Sequence, residues 1–185
     1  SLPLKALVTM GGADPFRLTE LVLNALSNME GVEVTTVIGP AFSPERDLKA
    51  LVKWRPGFSF AENLKDLSPL MAASHLAITA VGTTIYELAC MGVPSILIGN
   101  YESDRDDLKG FEGLGASISL GHYKDVTPEA IQNAVKRFQD EAFWRKASER
   151  ASRLVDGNGA ERIALLMEGL YGEGPANKTE GVQHA

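Results

Sequence analysis

The sequence has little cysteine, little histidine and no long apolar run. A single cysteine, Cys90, excludes a disulfide within the chain, and we expect a buried thiol in a reducing cytoplasm. Three histidines are too few and too scattered to predict a metal site. No apolar run approaches the roughly 20 residues that cross a bilayer. We therefore predict a cytoplasmic protein with no metal and no transmembrane segment.

Positive charge is also in deficit, with 18 lysines and arginines against 24 acidic residues and a net charge of −6. This balance argues against a nucleic-acid surface or a polybasic membrane anchor. It does not exclude a small anion, because a helix N-terminus supplies a positive field locally. The 185 residues are 44% hydrophobic, enough for one sizeable core. The chain begins Ser1-Leu2 rather than with methionine, so we expect a fragment of a longer protein.

Short apolar runs alternate with helical patterns along the chain. Strands are predicted at residues 4–9, 32–38, 58–60, 76–79, 95–98 and 116–120. This alternation predicts an α/β fold, a doubly wound, Rossmann-like, mainly parallel sheet. Asp14-Pro15 and Ser43-Pro44 predict helix starts, and a last helix carries the stripe Ile163, Leu166, Met167 and Leu170. We expect one domain over residues 1–171 and a flexible tail over residues 172–185.

Two predicted strand-to-helix turns contain glycine: residues 11–14 after the first strand and residues 82–84 after the fourth. Both turns project from the carboxyl edge of a parallel sheet, where ligands bind. If the first and fourth strands are neighbours, the turns flank the switch point and could share one diphosphate. Asp14 also fits an ordinary N-cap for its side chain. Glu87, one turn into the next helix, fits either a surface charge or a ligand contact.

The patterns of the common nucleotide-binding folds are absent. There is no G-x-G-x-x-G, no acidic residue closes the second strand, and there is no Walker sequence. We therefore expect no cofactor. Asp104-Arg105-Asp106 contains a D-x-D, which holds a metal-bound nucleotide in some glycosyltransferases. A solvated helix start within an acidic run produces the same pattern, so we predict no metal here. His75 is expected to be structural and His122 to be an exposed loop residue. Spacing alone supports no catalytic triad or carboxylate pair, so the catalytic residues stay unknown.

Three segments carry a resemblance to a known family: ALVTMGGADPFRLT, ENLKDLSPLMAASHLAITAVGTTIYELACMGVPSILI and LVDGNGAERI. They resemble the C-terminal half of the UDP-sugar hydrolase of pseudaminic acid biosynthesis and the related spore-coat polysaccharide biosynthesis proteins. More distantly, the chain is similar to the C-terminal domain of the peptidoglycan N-acetylglucosaminyl transferase, a GT-B glycosyltransferase. The resemblance covers residues 4–170, nearly the whole chain.

The resemblance implies one half of a GT-B fold that binds a nucleotide sugar, a UDP-sugar, in a bacterial enzyme. That enzyme would act at the sugar C1–O–phosphate bond in surface or spore-coat polysaccharide or nonulosonic acid biosynthesis. The glutamate that matches Glu87 bonds the ribose hydroxyls, and the segment from Phe60 to Leu64 lies near the uracil. Asn100 matches the first residue of an Asn-Gln pair, whose second residue is Tyr101 here. The implied nucleotide-sugar contacts are Gly11, Gly12, Ala13, Asp14, Phe60, Ala61, Leu64, Gly82, Thr83, Thr84, Glu87 and Asn100.

The same resemblance implies that the catalytic histidine belongs to an N-terminal domain that this chain lacks. The expected partners are therefore a UDP-sugar and that domain, and we expect the fragment alone to be inactive. Two other functions stay open. One is a nucleotide-sugar epimerase of GT-B-like fold, and the other is a non-catalytic interaction module that has lost the ligand.

Overall fold

The computed structural model describes residues 3–43, 47–53 and 55–172. One compact unit extends to Val155 and holds the sheet and seven of the described helices; a second begins at Asp156 and holds the last described helix. The strands are β1 Leu4–Thr9, β2 Val32–Ile38, β3 Phe58–Glu62, β4 Leu76–Ala80, β5 Ser95–Gly99 and β6 Ser117–His122. The helices are α1 Leu18–Ser27, α2 Leu48–Leu51, α3 Ser68–Ala72, α4 Thr84–Cys90, α5 Arg105–Gly113, α6 Pro128–Gln139, α7 Glu141–Ala151 and α8 Gly159–Gly172. Short 3-10 helices lie at Glu102–Asp104 and Tyr123–Asp125.

The sheet is fully parallel, with the strand order β3-β2-β1-β4-β5-β6. The predicted doubly wound α/β fold is therefore confirmed. The chain winds outward from β1 to β3, then returns to place β4 on the other side of β1. The first and fourth strands are neighbours, which is the arrangement that a shared site at the switch point requires.

The two faces of the sheet are buried by different helices. Ala6 and Val8 lie in a large apolar cluster with α1 and α6, whereas Leu7, on the opposite face, clusters with Met71 of α3 and Leu88 of α4. Alternate strand residues point to opposite faces, so one short apolar strand supplies both clusters. β4 and β5 are buried along their whole length, as expected for central parallel strands covered on both sides.

Two helix starts differ from those that the sequence predicts. α1 begins at Leu18 and not at Pro15, because Asp14 (φ 44°) and Arg17 (φ 56°), on either side of Pro15 and Phe16, have left-handed backbone that a helix cannot include. α2 is only Leu48–Leu51, capped by the side chain of Asp47. Residues 44–46, which include the proline of the predicted start, lie outside the described residues. At α6, in contrast, the Thr127-Pro128 sequence marks the start of the helix, and the Thr127 side chain accepts from the Ala130 N–H.

The prediction that Cys90 is buried is wrong, since its side chain is exposed. The buried face of α4 consists of Ile85, Leu88 and Ala89, and Cys90 is the last residue of that helix, beside this face. An apolar stretch of sequence therefore did not mean burial on every side. A helix of this length buries only the stripe that meets the sheet.

The last described helix, α8, forms where the sequence predicts it. Its apolar stripe is nevertheless exposed: Ile163, Leu166 and Met167 are 60%, 68% and 51% accessible. Periodicity thus predicts the helix correctly but does not say what covers its apolar face. The side chain of Leu170, the last residue of the predicted stripe, lies outside the described part of the structure. The predicted tail from residue 173 onward also lies outside the described residues.

α8 has 14 residues, which corresponds to about 21 Å of helix. A bilayer core is about 30 Å thick. Among the described residues, no helix combines the length and the hydropathy that a membrane span requires.

Candidate functional site

The two predicted glycine turns lie side by side at the carboxyl edge of the sheet. Thr9 of β1 pairs with Thr79 of β4 in parallel register. Each strand ends within one residue of this pair, so the turns at 11–14 and 82–84 leave the sheet at the same level. Neighbouring strands lie about 4.8 Å apart. The structure therefore brings both turns together at the switch point, where α/β proteins bind ligands.

The glycines of these turns have open space where a side chain would lie. A Cβ placed on Gly12 or on Gly82 would meet no protein atom within 4 Å. Gly11 has a φ of +77°, a backbone conformation that favours glycine. No side chain or neighbouring element therefore fills the space in which a Cβ of Gly12 or Gly82 would lie.

Asp14 lies in the first glycine turn, and its buried side chain caps α1. Its side chain is 2% exposed, and its oxygens accept the Leu18 N–H at 2.8 Å and the Thr19 N–H at 3.0 Å. The side chain therefore caps α1, as predicted, but from four residues before the helix. Because Asp14 accepts these two N–H groups, they are not available to bind an anion at the start of α1. An anion at this turn would meet the amides of the turn itself.

The start of α4 is arranged differently. Thr83, the N-cap residue of α4, makes no side-chain capping bond. Glu87 lies in the first turn of α4 and is exposed. Within the described part of the chain, its carboxylate has no hydrogen-bond or ion-pair partner. We call the open space between Gly12 and Gly82 the crevice. Beside it, α4 presents the exposed Thr83, the half-buried Thr84 and the exposed carboxylate of Glu87.

The segment predicted to lie near a base begins within the edge strand β3 and continues beyond its end. Phe60 and Ala61 are half-buried in β3, and Leu64 beyond it is 44% exposed. β2 separates β3 from β1, so the strands that lead to this segment and to the first glycine turn lie about 10 Å apart. All the predicted segments share the carboxyl edge, and this one lies on the β2 side of the switch point.

Asp104 organises the loop after β5. Its Oδ2 accepts the N–H groups of Asn100 at 2.8 Å and of Tyr101 at 3.0 Å. Asn100 is half-buried, and its own Oδ1 is buried without a partner within the described residues. Asp104 of the D-x-D thus closes a loop. In the ranges that the structure describes, no three His, Cys, Asp or Glu residues are grouped to hold a metal.

An aromatic cluster at this edge was not predicted. Phe16 stacks on Tyr123, with ring centroids 4.0 Å apart and planes at 18°, and meets Tyr101 edge-on at 6.0 Å. The three residues come from the loops after β1, β5 and β6. No linear motif contains them. The available signal was that each follows a predicted strand and so lies at the carboxyl edge of the sheet.

His122 is 6% exposed, so the prediction of an exposed loop residue is wrong. β6 continues to His122, which pairs with Gly99 of β5 and lies against the Tyr123 ring at 4.5 Å. Its Nε2 lies 4.0 Å from Oε1 of Glu102. Glu102 also pairs with Arg105, whose hydrogen bond holds the pKa of that carboxyl below its ordinary value.

His75 lies at the opposite, amino edge of the sheet and has structural contacts. Its Nδ1 accepts the Lys5 N–H at 3.1 Å, and its carbonyl oxygen accepts the Trp144 indole N–H at 2.7 Å. These bonds connect β1, the start of β4 and α7. They agree with the structural interpretation of this histidine.

Comparison with known proteins agrees with this arrangement. Over 169 residues, the chain is 28% identical to the spore coat polysaccharide biosynthesis protein SpsG of Bacillus subtilis, covering 89% of this chain and 50% of SpsG. The fold matches MurG of Acinetobacter baumannii with a TM-score of 0.75 at 18% identity, covering 90% of this chain and 50% of MurG. It also matches a co-structure of S. aureus MnaA with UDP, with a TM-score of 0.69 at 14% identity, covering 92% and 47%.

The chain thus spans about half the length of the relatives it matches. At these identities, the structural matches establish the fold alone. The sequence profile of the glycosyltransferase family 28 C-terminal domain extends further, since it matches residues 6–164. That range holds both glycine turns and all of the sheet except the first two residues of β1. On this match, the chain belongs to the glycosyltransferase family 28 C-terminal domain family.

Proposed function

We propose that this chain binds a nucleotide sugar, a UDP-sugar, with the diphosphate between the turns at 11–14 and 82–84. One observation carries the proposal: two glycine turns with open space around Gly12 and Gly82 leave neighbouring strands at the switch point. The family supports a nucleotide-sugar ligand. UDP itself is supported by its presence with S. aureus MnaA, which has the same fold.

The diphosphate meets backbone amides and the start of α4. Because Asp14 uses the Leu18 and Thr19 amides, the donors on the β1 side are the amides of Gly12 and Ala13. Thr83 and Thr84 supply hydroxyl groups on the β4 side. Hydrogen bonds to a charged group contribute about 1.5–3 kcal/mol each. A few such donors, held by the strands, suffice for a diphosphate in a chain of net charge −6.

The nucleoside is held by Glu87 and by the segment after β3. Glu87 is exposed and uncommitted, and the two oxygens of its carboxylate can accept from both hydroxyls of the ribose. Phe60, Ala61 and Leu64 lie on the β2 side of the crevice, within reach of the base. Asn100 lies on the other side, where the sugar would extend, and its buried amide oxygen has no partner in the part of the chain that the structure describes.

The whole protein would act at the sugar C1–O–phosphate bond in the biosynthesis of a surface polysaccharide. The similarity to SpsG supports this role. Because the chain covers about half of that relative, the catalytic base would come from the remaining half. Incubating the full-length protein with UDP-sugars and analysing the products would distinguish hydrolysis, transfer and epimerisation.

Nucleotide binding tests the proposal directly. Calorimetry or NMR titration of the chain with UDP is expected to show saturable binding. The variant Glu87→Ala removes the proposed ribose contacts and is expected to weaken binding about tenfold or more. Glu112→Ala is a matched control, because Glu112 is also an exposed helical glutamate but lies near the C-terminal end of α5. Flat titrations of folded protein with UDP, CMP and GDP would support a module that binds no nucleotide.

A further inference from the structure

The turn that follows β2, residues 39–42, lies directly against the first glycine turn. The Ala41 N–H donates to the carbonyl oxygen of Gly12 at 2.9 Å. A second bond, from the Phe42 N–H to the Gly39 carbonyl at 3.2 Å, closes the turn on itself. Pro40 occupies its second position, where the fixed φ of proline favours a turn. A stiff four-residue turn is therefore hydrogen-bonded to the proposed diphosphate site.

Gly39 is required here because of close approach. A Cβ at this position would lie 2.6 Å from the Gly11 carbonyl oxygen and closer still to that of Gly12. Both contacts are with backbone, which cannot move aside as a flexible side chain would. The backbone of Gly39 is outside the left-handed region, so conformation alone does not require glycine. The absence of a side chain lets the two turns meet.

This contact sets the direction of the amides on the other side of the glycine turn. β2 and β4 flank β1 on opposite sides, so the Gly12 carbonyl, bonded to Ala41, points to the β2 side. In a planar trans peptide, the following N–H points the opposite way. The Ala13 N–H is therefore aimed at the β4 side, where the Gly82 turn lies. The Gly11 carbonyl lies against Gly39 on the β2 side. By the same argument, the Gly12 N–H is aimed at the β4 side.

The two amides aimed at the β4 side are those of Gly12 and Ala13. Among the described residues, the N–H groups of Gly12 and Ala13 have no hydrogen-bond partner, whereas the nearby amides of Leu18 and Thr19 are bonded to Asp14. Successive amides aimed into one crevice form an anion-binding concavity. The direction of these two N–H groups depends on the carbonyl groups of the same peptides, which contact the turn at residues 39–42.

We infer that Gly39 is a positioning residue, and that the turn from Gly39 to Phe42 fixes the Gly12 and Ala13 amides toward a bound diphosphate. The inference rests on the proposed function and extends it to an element that does not touch the ligand. Gly39 acts through the peptide groups of Gly11 and Gly12. Its replacement is expected to alter the recognition of the phosphates and to leave that of the nucleoside intact.

The test compares UDP with uridine on Gly39→Ala. Uridine lacks the diphosphate, so the ratio of the two dissociation constants isolates the phosphate contacts. In the original chain, UDP is expected to shift the NMR signals of the Gly12 and Ala13 amides. In Gly39→Ala, the affinity for UDP is expected to fall about tenfold or more with uridine unchanged. Leu4→Ala, at the opposite end of β1, is the control for lost stability and should preserve the ratio.

A second variant covers the case in which Gly39→Ala does not fold. Pro40→Gly loosens the same turn without a steric clash, and is expected to lower the preference for UDP over uridine roughly two- to fivefold. An unchanged preference in a folded variant would overturn the positioning role while the proposed function stood. If the original chain binds neither UDP nor uridine, the proposed function fails, and this inference fails with it.

Discussion

Asp14 Oδ1 accepts the backbone N–H of Leu18 at 2.8 Å, across a bend in which Arg17 is left-handed. A buried carboxylate therefore occupies the start of α1, next to the turn that we assign to a diphosphate. A helix N-terminus stabilises one anion, and here that anion belongs to the chain. The phosphate contacts of this turn are consequently assigned to its own amides.

Replacing Asp14 should destabilise the fold. Asp14→Ala removes the acceptor of two amides and leaves a buried cavity, so the free energy of unfolding should fall by about 2 kcal/mol. Asp14→Asn keeps one carbonyl acceptor and should lose about half as much. Urea denaturation followed by circular dichroism measures both. Asp106→Ala is the control, because Asp106 is an exposed acid in the first turn of α5; an equal loss there would contradict the capping role.

The arrangement of the sheet was predictable because the strands are short, apolar and separated by glycine or proline. In parallel strands buried on both faces, hydrophobicity alone marks the element. The two turns could also be predicted, since Gly11, Gly12 and Gly82 directly follow such strands. Their adjacency required one more fact, namely that β4 lies beside β1 and not beside β3. The order of the strands depends on tertiary packing. From the sequence, the adjacency of β1 and β4 could therefore only be assumed.

The remaining features depend on contacts between distant segments. His122 is buried because β6 continues two residues beyond the predicted end and Tyr123 covers the ring. The stack of Phe16 on Tyr123 joins positions more than a hundred residues apart, so no local pattern contains it. Gly39 directly follows the strand predicted at residues 32–38, and nothing in the sequence distinguishes it from other glycines that follow strands. Its role depends on the Gly12 carbonyl, which only the folded chain brings to it.

The ionisation of Glu102 should depend on Arg105. The hydrogen bond from Arg105 lowers the pKa of Glu102 from its ordinary 4.5, and the charges of Arg105, His122 and Lys124 act in the same direction. A carboxyl whose pKa is lowered by folding adds stability above its ordinary pKa, and this stability is lost as the pH falls through the lowered value. Arg105→Gln should therefore raise the pKa of Glu102, measured by NMR titration of its side-chain carbon.

The matched control for this titration is Lys109→Gln. Lys109 is a cation on the same helix that makes no hydrogen bond to Glu102 within the described residues. It should leave the titration of Glu102 nearly unchanged, because exposed charges that are not in contact are screened by solvent and salt. If Glu102 titrates at its ordinary pKa in the original chain, the pair with Arg105 does not persist in solution.

Cys90 should react in the folded protein. Its thiol is exposed at the last residue of α4, and it is the only cysteine in the sequence. One equivalent of a thiol reagent such as dithionitrobenzoate should therefore be consumed without denaturant, because access does not require unfolding. Cys90→Ser should abolish the reaction and change the free energy of unfolding by less than about 0.5 kcal/mol. Reaction only after addition of denaturant would mean that the thiol is covered in solution.

Gly82→Ala should separate stability from binding. A Cβ at Gly82 meets no protein atom within 4 Å, and the φ of this residue is not positive. The substitution is therefore expected to preserve the fold or to stabilise it by about 0.4–1 kcal/mol. If the diphosphate occupies that space, the added methyl group displaces it, and calorimetry should show UDP affinity reduced about tenfold. Gly110→Ala in α5 also points into open space and should bind UDP normally. Since no protein atom lies in this space, the methyl group would occupy it. Normal UDP binding by Gly82→Ala would therefore mean that the phosphates lie elsewhere along the edge of the sheet.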